Sequence, residues 1–331
     1  MSRLRAGLVG LGMMGRHHAR VLADLPEVDL VAVADPRGDT YGVAHGRPVV
    51  ADVDELIAQR IDYCVVAVPT ALHEEVGLML AAAGIPALIE KPLTHDLASA
   101  RKLVGAFADA GVIGAVGHVE RYNPALQEAR RRIAAGELGT VYQISTRRQG
   151  PFPGRVADVG VVKDLATHDI DLTSWVAQRR FRTVAARTAH QSGREHEDLV
   201  AVVGTLEDGI VTSHLVNWLS PLKERMTTIT GACGALVADT LTADLTFYAN
   251  GSASTSWAGL QQFRGVTEGQ VTRYALPKPE PLLTEHENFR DALLGRPVDI
   301  VTLEEGMTTV MVAESMIRSA GCGSTVAVES C

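Results

Sequence analysis

The sequence predicts an α/β chain in two parts: a doubly wound parallel sheet over residues 1–120, and an α+β part with a mostly antiparallel, open sheet over residues 121–331. Three observations predict this. An apolar strand runs into a glycine turn and then a helix over Gly7–Leu22. Short apolar runs then alternate with helix-length segments as far as Gly117, and beyond Thr140 strand-length segments follow one another through tight turns.

The opening stretch GLVGLGMMGRHHARVL sets Gly10, Gly12 and Gly15 as G-x-G-x-x-G where strand gives way to helix. The first glycine permits the turn, the second lets backbone approach a pyrophosphate, and the third lets helix pack on strand. Free N–H groups at the helix start supply donors for the anion. Met13 and Met14 lie within this turn and are expected to border the cofactor. A second apolar run, Leu30–Ala34, ends in Asp35, about 20 residues after the turn, where a carboxylate accepts both ribose hydroxyls of NAD. That is the Rossmann arrangement. Asp35 would repel a 2′-phosphate, so NAD is expected rather than NADP, although Arg37 is a guanidinium placed to accept that phosphate.

The remaining elements follow in order. Pro48–Ala51 reads as a short strand, Val53–Gln59 as a helix, and Ile61–Val68 as a strand ended by Pro69 and Thr70. A helix over Ala71–Ala83, the strand Ala87–Glu90, a helix capped by Thr94 and running to Ala110, and the strand Val112–Gly117 complete the first part. Continuous apolar strands indicate a sheet buried on both faces, and ligands of such sheets lie at the carboxyl ends of the strands. Gly10–Gly15, Asp35, Pro69–His73, Glu90–Pro92 and His118–Tyr122 all fall there. After a helix over Pro124–Ala135, strands are expected at Val141–Arg148, Thr183–His190, Leu199–Thr205, Ile210–Asn217, Met226–Gly231, Ala235–Asp239 and Leu245–Tyr248. Helices are expected at Val162–Ala177, Glu280–Leu294 and Leu303–Ala320, the last able to pack back on the first domain. Ser254–Pro281 has no clear periodicity and is expected to be the least ordered stretch.

A chain of 331 residues that is 46% hydrophobic can fill two cores. Its net charge of -8 and pI near 5.8 give no basic stripe, which argues against nucleic acid as a partner. Cys64, Cys233, Cys322 and Cys331 show no paired spacing, so neither a disulfide framework nor a metal site is expected. They read as reduced thiols of a cytoplasmic protein, with no targeting signal and no membrane span.

Three ionisable residues stand out. Lys91 follows an apolar strand and precedes Pro92, at the mouth of the sheet; a surface lysine is the alternative reading. Asp164 and His168 are four apart on a helix, which sets both on one face, as many solvated pairs also are. A hydroxyl proton must leave when a carbinol loses hydride, and imidazole titrates near neutrality. His168 is thus a candidate base, with Asp164 to orient it and Lys91 to polarise the oxygen.

The segments GLVGLGMMGRHHARVL, VAVADP, VAVPTALHEE, EKPLT, GHVERYNPA and DVGVVKDLATHDIDL resemble the glucose-fructose oxidoreductase / inositol dehydrogenase (Gfo/Idh/MocA) family. The resemblance implies that Lys91, Asp164 and His168 form the catalytic set, that Pro69, Thr70 and His73 line the cofactor, and that Glu90 adjoins the nicotinamide. GHVERYNPA and RRQGPFPGRVADVGVVKDLATHDID are similar to a subgroup that oxidises the 3-hydroxyl of UDP-N-acetylglucosamine or related nucleotide sugars. Arg147, Arg148 and Arg155 flank the QGPFPG loop, and arginine forks suit a diphosphate, though exposed basic residues are the alternative. Glu120, Arg121 and Tyr122 are candidates for sugar contacts, or else an interdomain ion pair and a packed aromatic. Of Asp169 and Asp171, one is expected to be solvated and one structural. An inositol or free-sugar dehydrogenase and a catalytically silent dinucleotide-binding regulator are the competing readings. A homodimer or homotetramer built through the open sheet face is expected.

Overall fold

In the computed structural model, which describes residues 3–154, 159–251 and 267–328, the chain begins with β1 (Leu4–Val9), α1 (Met13–Asp24), β2 (Val28–Ala34), β3 (Val49–Val50) and α2 (Val53–Ile57). It continues with β4 (Tyr63–Val66), α3 (His73–Ala82), β5 (Ala87–Glu90), α4 (Leu97–Ala110) and β6 (Gly114–Gly117). The six strands are all parallel, in the order β3-β2-β1-β4-β5-β6. Alternate residues of each strand feed two different cores. Leu8, Val33, Val65 and Leu88 join α1 and Phe289 on one face, whereas Val9, Ala34, Val66 and Ile89 join Leu80, Leu103 and Val310 on the other. Both faces are therefore dry, which is why these strands read as unbroken apolar runs.

This unit consists of Met1–Val119 together with Glu280–Glu314. The returning segment carries α7 (Pro281–Leu293), whose Phe289 meets Tyr63 edge to face at 5.6 Å, and the first part of α8 (Leu303–Cys322). A single cut near residue 120 thus does not describe the compact units. One helix boundary also differs from expectation. Asp96, not Thr94, caps α4, because its Oδ1 accepts the Ser99 N–H at 2.8 Å, while the Thr94 hydroxyl donates to the Asp96 carbonyl.

The second unit comprises Glu120–Pro279 and Ser315–Ser330. It contains α5 (Pro124–Ala134), β7 (Val141–Pro151), a π-helical turn (Val162–Ala166) and α6 (Thr167–Ala177). Then come β8 (Phe181–Ala189), β9 (Leu199–Leu206), β10 (Val211–Asn217), β11 (Leu219–Gly231), β12 (Gly234–Asp239), β13 (Asp244–Gly251), β14 (Thr267–Tyr274) and β15 (Val326–Ala327). The nine strands run β14-β13-β12-β11-β7-β10-β9-β8-β15, antiparallel except for the β7–β10 pair. Both parts of the expected fold class are present. Strand β14 falls inside the stretch expected to be least ordered, and residues 254–266 of that stretch lie outside the described residues.

Candidate active site

The glycine turn divides its labour as the sequence implies. Gly10 has φ +91°, and a Cβ there would stand 2.6 Å from the Ala67 carbonyl oxygen. A Cβ on Gly15 would stand 1.9 Å from the Gly10 carbonyl oxygen, so α1 can approach the turn only because residue 15 has no side chain. At Gly12 a Cβ would meet nothing within 4 Å, so the bare backbone there faces space rather than protein. Helix α1 starts with no acidic residue in its first turn and no side-chain cap, which leaves its amide donors and dipole for an anion. Met13 is exposed and Met14 half-buried beside this turn.

Asp35 is buried, and its carboxylate accepts the Leu11 N–H at 2.9 Å on one oxygen and the Arg37 N–H at 2.9 Å on the other. Burial alone would raise its pKa, but these two amides and the Arg37 side chain hold it below the usual carboxylate range. The Arg37 guanidinium, itself mostly exposed, reaches the same carboxylate at 3.4 Å. An ionised acceptor next to a bare, donor-rich turn fits a dinucleotide: pyrophosphate on the turn, ribose diol on Asp35.

The loops after β4 and β5 are tied together. His73 is buried, with Nε2 on the Val68 carbonyl at 3.0 Å and Nδ1 on the Pro92 carbonyl at 3.0 Å. The ring lies between the backbone after β4 and that after β5 and donates from whichever nitrogen carries its proton, so its part in the site is to hold Pro69–Thr70 and Lys91–Pro92 in place. Pro69 is exposed, and Thr70 and Lys91 are half-buried. Glu90 is buried too. Its Oε2 accepts the Lys91 N–H at 3.0 Å, and its Oε1 meets His18 Nε2 at 2.9 Å.

In the second unit Asp164 and His168 do not share a regular α-helix. Asp164 lies in the π-helical turn and His168 in the first turn of α6, both buried. Helix α6 is held by two buried arginine–carboxylate pairs. Arg121 grips Asp171 through two bonds of 2.8 and 2.6 Å, and Arg148 Nε reaches Asp169 at 2.9 Å while its Nη1 reaches Glu120 at 2.9 Å. Burial pushes Asp169 up despite Arg148, since Glu120 shares the same guanidinium. These partners sit directly beside and three residues beyond His168, so the ion pairs fix the helix that carries it.

Several expectations are corrected here. Asp169 and Asp171 are both buried and structural, and neither is solvated. Arg121 and Glu120 form ion pairs within one unit, not between domains, and Tyr122 is buried. Arg147 and Arg148 are adjacent on β7 and so point to opposite faces. Arg148 is committed to carboxylates, whereas Arg147 is exposed and bonds Glu224 at 3.1 Å on the outer face. They cannot fork one diphosphate. Arg155 lies outside the described residues. Arg225, which the sequence reading passed over, approaches Glu120 at 3.4 Å, keeps 24% side-chain exposure and lies close enough to feel the charge of Asp164.

A donor-rich glycine turn, an ionised ribose acceptor and a parallel sheet that presents both at its strand ends define a dinucleotide-binding Rossmann protein. The family model described as oxidoreductase family, NAD-binding Rossmann fold, matches residues 4–118, and the model of the GFO/IDH/MocA C-terminal domain matches residues 126–237. The chain belongs to the Gfo/Idh/MocA oxidoreductase family, and its first unit carries the NAD-binding domain. It is 33% identical over 176 residues to UDP-N-acetylglucosamine 3-dehydrogenase of Acidithiobacillus ferrooxidans, a match covering 52% of this chain and 54% of the relative. The solved structure of that enzyme, GnnA, covers 97% of this chain and 99% of its own, with TM-score 0.83 and 26% identity. The scyllo-inositol 2-dehydrogenase (NAD(+)) of Bacillus subtilis is 31% identical over 193 residues, covering 55% of this chain and 56% of the relative. GenD2 from gentamicin A biosynthesis, solved in complex with NAD, covers 100% of this chain and 97% of its own at 28% identity and TM-score 0.82. The chain thus spans just over half the length of these two curated relatives. Among the described residues no helix is long and apolar enough to cross a membrane, and no group of three or more His, Cys, Asp or Glu converges as metal donors.

Proposed function

We propose that the protein is an NAD-dependent dehydrogenase that oxidises a secondary hydroxyl of a nucleotide sugar, with the 3-hydroxyl of UDP-N-acetylglucosamine as the first candidate. The observation that carries the enzyme reading is the buried Asp164 and His168 at the start of a helix clamped by two ion pairs. A silent regulator would need the glycine turn but not this acid–base set. His168 takes the hydroxyl proton at an imidazole nitrogen, Asp164 steadies the ring, and the Lys91 ammonium polarises the oxygen. NAD, when bound, supplies the hydride acceptor at nicotinamide C4. Asp35 favours NAD over NADP, and comparable calorimetric affinity for both would contradict this.

The nucleotide linkage rests on the similarity to UDP-N-acetylglucosamine 3-dehydrogenase and on Arg225 as the guanidinium near Asp164. The loss of the Arg147–Arg148 fork favours the second reading, an inositol or free-sugar dehydrogenase like the Bacillus subtilis relative. An NADH assay with UDP-N-acetylglucosamine, UDP-glucose, myo-inositol and glucose 6-phosphate separates them. Turnover of a UDP-sugar supports the first reading, and turnover confined to myo-inositol replaces it.

The outer face of the nine-stranded sheet leaves Val203, Val211 and Leu215 exposed beside a groove of about 760 Å³ lined in part by Arg147, Arg187 and Glu224. An apolar face of this kind fits a second copy of the chain, giving a dimer or tetramer. A monomeric mass by light scattering at micromolar protein rules this out. Two exposed free thiols, Cys233 and Cys322, favour a reducing, cytoplasmic setting.

A further inference from the structure

Behind the loop that carries Lys91 lies a buried chain of three side chains from segments far apart in sequence. His18 on α1 places Nε2 2.9 Å from Glu90 Oε1, and its Nδ1 2.8 Å from Nε2 of His286 on α7. All three side chains are buried, the two rings meet edge on at 5.1 Å, and Gly117 on the neighbouring strand leaves room for the Glu90 carboxylate, since a Cβ there would stand 3.3 Å from its Cδ.

Donor and acceptor capacities fix the direction of this chain. The ionised carboxylate of Glu90 only accepts, so His18 Nε2 carries the proton. A neutral His18 then offers Nδ1 as an acceptor, and His286 Nε2–H must donate to it. That leaves His286 Nδ1 as a bare lone pair, and this atom is buried with no hydrogen-bond partner. The opposite assignment, a cationic His18 donating from both nitrogens, would strand an N–H of His286 in the interior instead. We propose that His18 and His286 are positioning residues: two neutral imidazoles, both in the Nε2–H form, that hold Glu90 ionised in one rotamer, so that its other oxygen fixes the Lys91 backbone amide. The inference rests on the dehydrogenase reading only for the role of Lys91.

Among the described residues, Lys91 and His73 also feel the Glu90 carboxylate, and the exposed His17 precedes His18 on α1. Burial alone would push the Glu90 carboxyl up, but the His18 hydrogen bond, the neighbouring charges and the Lys91 amide together hold it below the usual carboxylate range. Without that donor the carboxyl takes up a proton at a higher pH than in the native chain and ceases to hold the amide.

Nitrogen-15 NMR of the histidine rings in the ligand-free protein tests the chain without any substrate. The expected result at neutral pH is an Nε2–H tautomer for both His18 and His286. An Nδ1–H tautomer or an imidazolium at either ring overturns the proposal. In turnover assays on a sugar that the protein accepts, His18→Gln keeps a donor to Glu90 and an acceptor for His286 and is expected to stay near wild type. His18→Leu is expected to lose roughly 10- to 100-fold in kcat, the size of a hydrogen bond to a charged group. It should recover as pH rises and Glu90 ionises, while its NAD affinity by calorimetry stays unchanged. Equal losses in both variants with a flat pH profile would assign the rings a purely packing role. If no sugar turns over, the function reading fails and the NMR result still decides the relay.

Discussion

The Arg121–Asp171 pair provides the sharpest test of how the site is held. Both side chains are nearly inaccessible, and two bonds of 2.8 and 2.6 Å join them. Asp171→Asn keeps the shape but leaves the guanidinium with a neutral partner that can accept at one oxygen only. Breaking a buried ion pair at one member costs about 3–5 kcal/mol, whereas replacing both members by apolar residues of similar volume is often neutral or stabilising. The double variant Arg121→Met, Asp171→Leu should therefore be markedly more stable than Asp171→Asn. Urea unfolding followed by tryptophan fluorescence is the assay. Trp175 lies one turn along α6, its ring 5.9 Å from the Arg121 guanidinium carbon, and so reports on this unit. A loss under about 1 kcal/mol for Asp171→Asn, the size typical of an exposed pair, would refute the reasoning. So would a double variant no more stable than the single one. A functional consequence follows, because α6 carries His168: Asp171→Asn should also lower kcat while leaving NAD binding intact.

Other outcomes are expected on the same basis. Gly12→Ala should fold with wild-type stability but lose NAD affinity by calorimetry, because its Cβ meets no protein atom. Gly15→Ala should lose both affinity and melting temperature, since its Cβ would collide with the Gly10 carbonyl. His168→Ala should lower kcat about 100- to 10,000-fold with NAD affinity retained, the usual range for a general base, and Asp164→Asn should fall less far. Near-wild-type turnover of His168→Ala would move the base to Lys91 or a water. His214 is buried against Thr146 Oγ1 at 2.8 Å, and burial depresses its pKa from 6.5 to about 4. The unfolded chain takes up this proton first as pH falls. Its contribution is therefore intact above pH 6.5 and lost progressively between 6.5 and about 4, to the extent of about 3 kcal/mol. Urea titrations across that window should show a shallower acid limb for His214→Leu.

The Rossmann half was legible because its signals are local. An apolar run buried on both faces, a glycine turn and a terminal Asp35 need no partner from elsewhere in the chain. Strand β14 was missed because TEGQVTRY is mostly polar, as suits a strand with a single neighbour at the sheet edge. The π-helical turn at Val162–Ala166 carries no periodicity that separates it from an α-helix, so the Asp164–His168 spacing looked regular. The two arginines were a different case. The strand expected over Val141–Arg148 already contains both, and its period of two sets Arg147 and Arg148 on opposite faces, so the signal was present in the sequence. No such signal existed for His18 and His286, which are 268 residues apart and meet only when the chain returns to its first unit. Asp96 could have been read as the α4 cap from the D-L-A-S stretch, since a short acidic side chain reaches the amide three residues on.

Hydride transfer from a sugar carbinol carbon to NAD is the step on which the dehydrogenase reading stands. Incubating the protein with NAD and UDP-N-acetylglucosamine deuterated at C3, followed by mass spectrometry of the recovered nucleotide, tests it directly. Deuterium is expected on the nicotinamide ring of NADH, and His168→Ala is expected to suppress the transfer. Unlabelled NAD recovered from the wild-type protein, with an unchanged sugar, would contradict it.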